Sequence, residues 1–245
     1  MSRHIIKTKF TKNINESFSI GKIISSLIHM PRMKIDRDSF LLTEFNNNRE
    51  IIEKGPVQAG CSREELKEKA TAILNRKISE SKLTPDEETS ELSENINLPK
   101  DILHFYSIAL KFAQEVAYIY GEQDLWKAGK EDTSDIRKQL TLYCTTMLGY
   151  TSASQTARVV ANSLKKELKR KVVSKVIYYP AIKTAAKIIG KDITTDDITD
   201  GISEIPAIGD AFSEEITSSS LQTMGARLIE AFDRAYFDYQ EEETE

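Results

Sequence analysis

The chain has 245 residues, of which 40% are apolar, and a net charge of −4. This length and composition bury one large core or two small ones, and the slightly acidic balance disfavours nucleic acid as a partner. The first ten residues alternate charge with single apolar residues and lack the continuous apolar stretch of a secretory signal. No apolar run reaches the roughly 20 residues of a membrane-spanning helix, so a cytoplasmic protein is expected.

The first strong pattern is Ile20, Ile23, Ile24, Leu27 and Ile28, the stripe of an amphipathic helix that ends near Met30-Pro31. Residues 1–37 carry eight Lys and Arg against two acidic residues. This favours either an arm touching anionic lipid or a helix packed on the protein's own bundle. Asp36 to Phe45 reads as a short helix with Phe40, Leu41 and Phe45 inward, stopped at Asn46-Asn47-Asn48. Gly55-Pro56 and Gly60 bracket a turn. Ser62 with Glu65 three residues on forms a capping box that opens a helix through Leu66, Ala70, Ile73, Leu74 and Ile78. Residues 80–101 hold seven acidic against two basic residues and few apolar ones, which predicts a solvated acidic loop over 80–98.

Pro99 stands at the start of the longest apolar stripe, which runs from Ile102 through Phe105, Tyr106, Ala109, Leu110, Ala113, Val116 and Ala117 to Tyr120 and is closed by Gly121. A central core helix is predicted there. Ile136, Leu140, Tyr143, Met147 and Leu148 mark the next helix. Beyond it, Ala153, Ala157 and Ala161, then Leu164, Leu168, Val172 and Val176, recur every four residues, a spacing for close helix approach. Pro180 lacks the N–H that continues a helix, so a kink or break is expected at Tyr179-Pro180. The last helix is predicted through Phe212, Ile216, Leu221, Met224, Leu228, Ile229, Phe232 and Tyr236. No run alternates β-branched residues as a strand would.

Charge is sorted along this second half. Residues 158–191 hold ten Lys and Arg and one Glu, whereas residues 192–245 hold two Arg and fifteen acidic residues. The basic cluster Lys165, Lys166, Lys169, Arg170, Lys171 and Lys175 is the candidate surface for an acidic protein partner or for anionic membrane headgroups. The alternative is that the acidic C-terminal segment folds back and neutralises it within one molecule.

Signals for chemistry are sparse. Cys61 and Cys144 lie far apart without a partner motif, as reduced thiols do. His4, His29 and His104 lack metal-ligand spacing. The pairs Asp196-Asp197 and Glu214-Glu215 diverge by about 100° on a helix, and Cys144 with His104 makes a nucleophile and base only if their helices pack face to face. No catalytic residue, metal or cofactor is assigned. An enzyme of unknown reaction remains an alternative, as does a carrier enclosing a hydrophobic ligand among Phe105, Phe112, Tyr143, Met147 and Tyr178.

Several phrases read together carry a family likeness: "IDRDSFLLTEF" from Ile35, "GPVQAGCSREELKEKA" from Gly55, "ALKFAQEVAYIYG" from Ala109, "VIYYPAIKTAAKIIG" from Val176 and "IPAIGDAFSEEITSSSLQTMGARL" from Ile205. Their order resembles bacterial helical proteins of EcsC-like type, most without an assigned activity, over residues 35–232. The resemblance implies an all-α fold with Gly-rich apolar hairpins suspected of touching membranes. This chain departs from that pattern. Where the family is apolar and Gly-rich, it carries Asp86, Glu87, Glu88, Glu91 and Glu94, each costing about 2–3 kcal/mol to insert in a bilayer. Asp210, Glu214 and Glu215 alter a second such stretch.

The sequence therefore predicts an all-α multi-helix bundle with a kinked or broken basic helix near Pro180. It divides into an N-terminal amphipathic helix arm at 1–31, a single helical domain at 35–240 and an acidic tail at 241–245. The expected role is that of a non-catalytic interaction protein without cofactors. Its partner is an unidentified protein or the inner membrane surface, and homo-oligomers are compatible with it.

Overall fold

The computed structural model describes residues 20–126, 133–149 and 218–237. Within them the chain is all α-helix, with no strand. In chain order the helices are α1 (Ile20–Leu27), α2 (Arg37–Glu44), α3 (Arg49–Lys54), α4 (Arg63–Glu80), α5 (Glu87–Ile96), α6 (Lys100–Tyr120), α7 (Ser134–Met147) and α8 (Ser218–Phe237), with a single 3-10 turn at Pro31–Met33. The basic cluster at 165–175, the break expected at Pro180, Tyr178, and Phe212 and Ile216 of the last predicted helix all lie outside the described residues.

The axis of the bundle is α6. From Ile102 to Tyr120 nearly every residue is buried, because α1, α2, α4, α5, α7 and α8 all pack on it. A helix apolar on all sides is stable only when it is surrounded in this way. Its ends follow from its sequence. Pro99 precedes the first turn, and Gly121 adopts φ +104, closing the helix through its N–H to the carbonyls of Ala117 and Tyr118.

The capping chemistry read from the sequence recurs along the chain. The N–H of Glu65 donates to Ser62 Oγ at 3.1 Å at the start of α4, and the N–H of Ser39 donates to Asp36 Oδ1 at 2.7 Å at the start of α2. Leu41 and Phe45 are buried as expected, while Phe40 is half-buried and tilts against Tyr118. Between Asn48 and Gly55 the chain adds α3, a short helix capped by Asn48 that periodicity over six residues does not announce.

Two elements differ from their sequence reading. Residues 80–98 do not form a loop. The N–H and hydroxyl of Thr89 both donate to Asp86 Oδ1 at 2.9 Å, capping α5, and Asn97 ends the helix in the left-handed region at φ 51. Leu92, Ile96 and the buried Leu98 hold it against the core. Two apolar anchors on one side of the helix and a third just past its end are enough, so its carboxylates remain on the solvent side. The stripe at Ile20–Ile28 is likewise no arm. Ile20, Ile23, Ile24 and Leu27 are wholly buried, and α1 packs on α7 and α6. The bundle is the surface this stripe covers, so these residues are not free for lipid.

α8 packs on α4 at Gly225, where a Cβ would lie 2.3 Å from Leu74 Cδ1. Leu74 is itself buried, so this glycine is required by packing and not by its backbone angles. No described helix is long and apolar enough to cross a membrane.

Candidate functional site

Three polar groupings are built into this apolar frame. The first ties α4 to α8. Arg63 forks onto Asp233, its Nη2 donating to Oδ2 at 2.7 Å and its Nε lying 3.1 Å from both oxygens. Asp233 is only 1% exposed, and Lys67 Nζ stands 3.9 Å from the same carboxylate. Lys67 also faces Glu230 at 3.6 Å, which in turn pairs with Arg234 at 2.8 Å. The Tyr120 hydroxyl is buried without a hydrogen-bond partner, and burial pushes its pKa upward.

The second grouping lies where the end of α4 and the start of α5 meet α6. Lys77 Nζ donates to Glu115 Oε1 at 2.9 Å, with both side chains about nine-tenths buried at 9% and 11% exposure. Lys77 also reaches Glu80 at 3.2 Å. Glu115 Oε2 is buried without a partner, and burial raises this carboxyl's pKa against the opposing pull of Lys77. Beside them, burial holds the His104 imidazole below its ordinary pKa, opposed by a hydrogen bond with the Glu80 backbone. Lys111 is lowered by burial and then by the charges of Arg32 and Lys77. Arg32 anchors the start of α5 by contacting Asp86 and Thr89, and its Nε lies 3.1 Å from Glu88 Oε2, an ion pair without hydrogen-bond alignment.

The third grouping surrounds the C-terminal end of α6. Arg37 Nε donates to the Glu122 carbonyl at 2.9 Å, where the helix dipole leaves partial negative charge. The Tyr236 hydroxyl donates to Glu122 Oε1 at 3.1 Å. Trp126 Nε1 donates to Gln114 Oε1 at 2.7 Å, and Gln114 Nε2 donates to the Met33 carbonyl at 3.0 Å, joining the loop after α6 to the 3-10 turn. Asp124 Oδ1 accepts from the Trp126 N–H at 2.9 Å and from the Tyr118 hydroxyl at 3.3 Å. Outside this layer a polar cavity of about 510 Å³ opens between the ends of α3 and α6.

Burial raises the pKa of Glu122 above its ordinary 4.5, while the Tyr236 hydroxyl opposes that shift. A raised folded-state pKa means that this carboxyl's contribution to stability is complete below 4.5 and is lost as pH rises through the folded value. Glu122→Gln keeps an acceptor for Tyr236 and removes the titration. Its stability relative to the natural protein should therefore improve from pH 5 to pH 7 in urea melts. A difference that stays constant with pH would refute the assignment.

The residues singled out for chemistry in the sequence do not converge. Cys144 is fully buried on α7, and burial alone pushes its thiol up to about 12. His104 instead faces the Lys77–Glu115 grouping, and the two are not brought together as nucleophile and base. Phe105, Phe112, Tyr143 and Met147 are buried in the core, with the Tyr143 and Phe232 rings 5.4 Å apart, and Tyr178 lies outside the described residues. Cys61 and Cys144 are both free thiols, and no group of potential metal ligands forms among the described residues. The candidate binding residues Lys165, Lys166, Lys169, Arg170, Lys171 and Lys175, and the pairs Asp196-Asp197 and Glu214-Glu215, lie outside them. The sequence reading missed Arg37, Asp124 and the Lys77–Glu115 pair. The usable signal was polar residues set within or beside an otherwise apolar stripe, Gln114 and Glu115 above all.

No family model, no curated protein and no solved structure matches this chain.

Proposed function

We propose that this chain is a non-catalytic helical interaction protein of EcsC-like type in the bacterial cytoplasm. It docks an acidic protein partner through Lys165, Lys166, Lys169, Arg170, Lys171 and Lys175. One observation carries the reading. The sequence left two destinations for the basic residues at 158–191, an external partner or the acidic C-terminal segment. Within that segment, Asp233 is committed to Arg63 and Lys67, and Glu230 to Lys67 and Arg234. Among the described residues these two carboxylates are engaged at the α4–α8 contact and within α8. A concentrated cationic cluster attracts an anionic partner, and the attraction weakens as salt screens it.

The test is capture from native cell lysate, comparing the natural chain with a variant in which the six basic residues are Glu. The natural chain should retain a partner at low salt and release it near 0.5 M salt, where the Debye length is about 4 Å, and the variant should retain none. Equal retention by both would remove the proposal. Pelleting with phosphatidylglycerol vesicles but not with phosphatidylcholine vesicles would move the partner to the membrane surface.

A further inference from the structure

His104, Lys111 and Glu115 share one side of α6. Their spacing of seven and then four residues, at roughly 100° per residue, keeps the three within about 40° of one another around the helix. Three groups from other elements are brought to this stripe: Lys77 and Glu80 from the last turns of α4, and Arg32 from the 3-10 turn. The charges there do not pair off evenly. Arg32 is engaged by Asp86 and Glu88, and Lys77 by Glu80 and Glu115, so each of these cations meets two carboxylates. Lys111 forms no hydrogen bond and no ion pair among the described residues. Glu115, four residues further along the same helix, turns instead to Lys77 at 2.9 Å.

Lys111 is half-buried. Burial first, and then the charges of Arg32 and Lys77, hold its amine below the ordinary lysine pKa, against a weaker pull from Glu80 and Glu115. An ammonium group without a counter-ion is disfavoured in such surroundings, and the neutral amine that replaces it is a nucleophile. Charge and size identify the electrophile that suits it. An aldehyde or ketone would end as an iminium and restore the unpaired cation. An acyl donor would have to bring a leaving group up to a side chain that is already partly covered. Carbon dioxide is small, needs no leaving group and adds to give an anion. The cations that disfavour the ammonium form favour that product.

We propose that Lys111 is a carbon dioxide site, its side-chain nitrogen forming a reversible carbamate stabilised by the positive charges of Arg32 and Lys77. The nitrogen lone pair forms the N–C bond, one C=O π pair moves onto oxygen, and one N–H proton passes to solvent. Amine and carbon dioxide thus give carbamate and a proton, and no oxidant or cofactor enters. The stripe then carries an anion beside two cations in place of a third cation. This site is separate from the basic cluster and independent of the role assigned to it.

The test equilibrates the full chain with isotopically labelled bicarbonate and carbon dioxide near neutral pH, traps carbamates as ethyl esters with triethyloxonium ion, and locates the label by peptide mass spectrometry. The α-amino group, whose ordinary pKa is about 8, serves as the positive control. Lys111 should carry more label than Lys82 and Lys100, which are exposed. In urea that preference should vanish, because it depends on the folded surroundings. Carbon NMR of the intact chain should show a carbamate resonance that Lys111→Arg loses while the α-amino signal stays. Glu115→Gln removes a competing carboxylate and should raise the Lys111 label, with folding checked by circular dichroism. If that variant does not fold, the comparison of Lys111 with the exposed lysines in the natural chain decides the matter alone. Label at Lys111 no greater than at Lys82 and Lys100, label on Lys77 in its place, or no rise in folded Glu115→Gln would overturn the proposal.

Discussion

Phe232→Ala is expected to remove about 3–5 kcal/mol of stability, the range for deleting a fully buried aromatic side chain. Phe232 is wholly buried on α8, its ring stacked on Tyr120 of α6 at 5.6 Å and 15°, and tilted against Tyr143 of α7 at 5.4 Å. It therefore fills the point where three helices meet. Truncation loses the transfer energy of the ring and opens a cavity whose walls are themselves held in place, Tyr120 by the Tyr236 ring and Tyr143 by a hydrogen bond from Gln139. The check is urea denaturation followed by circular dichroism, with Leu83→Ala as the control. Leu83 is 65% exposed, and its loss should cost less than about 0.5 kcal/mol. A Phe232→Ala cost below about 1 kcal/mol would mean that α8 does not seal the core.

Lys77→Met should cost up to about 3 kcal/mol near pH 7, and the cost should shrink as the solution is acidified. Replacing the lysine leaves the Glu115 carboxylate almost buried with one oxygen already unpartnered. Such a group either stays charged at a high desolvation cost or takes up a proton. Protonation sets the ceiling. Bringing a carboxyl from its ordinary 4.5 to its neutral form near pH 7 costs about 3 kcal/mol at 1.36 kcal/mol per pH unit. Burial already raises the folded pKa of Glu115, so its contribution to stability is present below 4.5 and lost as pH rises through the folded value. Removing the Lys77 charge raises that value further and widens the window upward. Urea melts at pH 5 and pH 7 should show the variant's deficit largest at pH 7. The double change Lys77→Met with Glu115→Leu should recover most of it, because two apolar groups replace a pair without orphaning either charge. A deficit independent of pH, or one undiminished in the double variant, would show that the ion pair is not what the lysine supplies.

Both predictions concern contacts that no inspection of neighbouring residues reveals, and the same holds for the polar cavity. The existence of α4 and α6, their starts at Ser62 and Pro99, the glycine stop at Gly121 and the burial of one face of α1 were legible because each depends on residues within a turn or two of one another. Composition misled at α5. Its carboxylates dominate any average over the interval, whereas the helix depends on one capping aspartate, on Leu92 and Ile96 four residues apart, and on Leu98 just past its end.

The sequence by itself determined the helical class, most helix boundaries and which stripes face inward, since a 3.6-residue period and the caps at its ends are local properties of the chain. The tertiary structure alone decided which charges meet. Arg63 finds Asp233 across 170 positions and Arg37 finds the Glu122 carbonyl across 85. It also decided that the amphipathic stripe at Ile20 closes the bundle, because a face's apolarity says that it must be covered but not by what. Pairings of this kind depend on how six helices pack around α6, and the distance between two side chains on different helices is set by that packing and not by their separation in the chain.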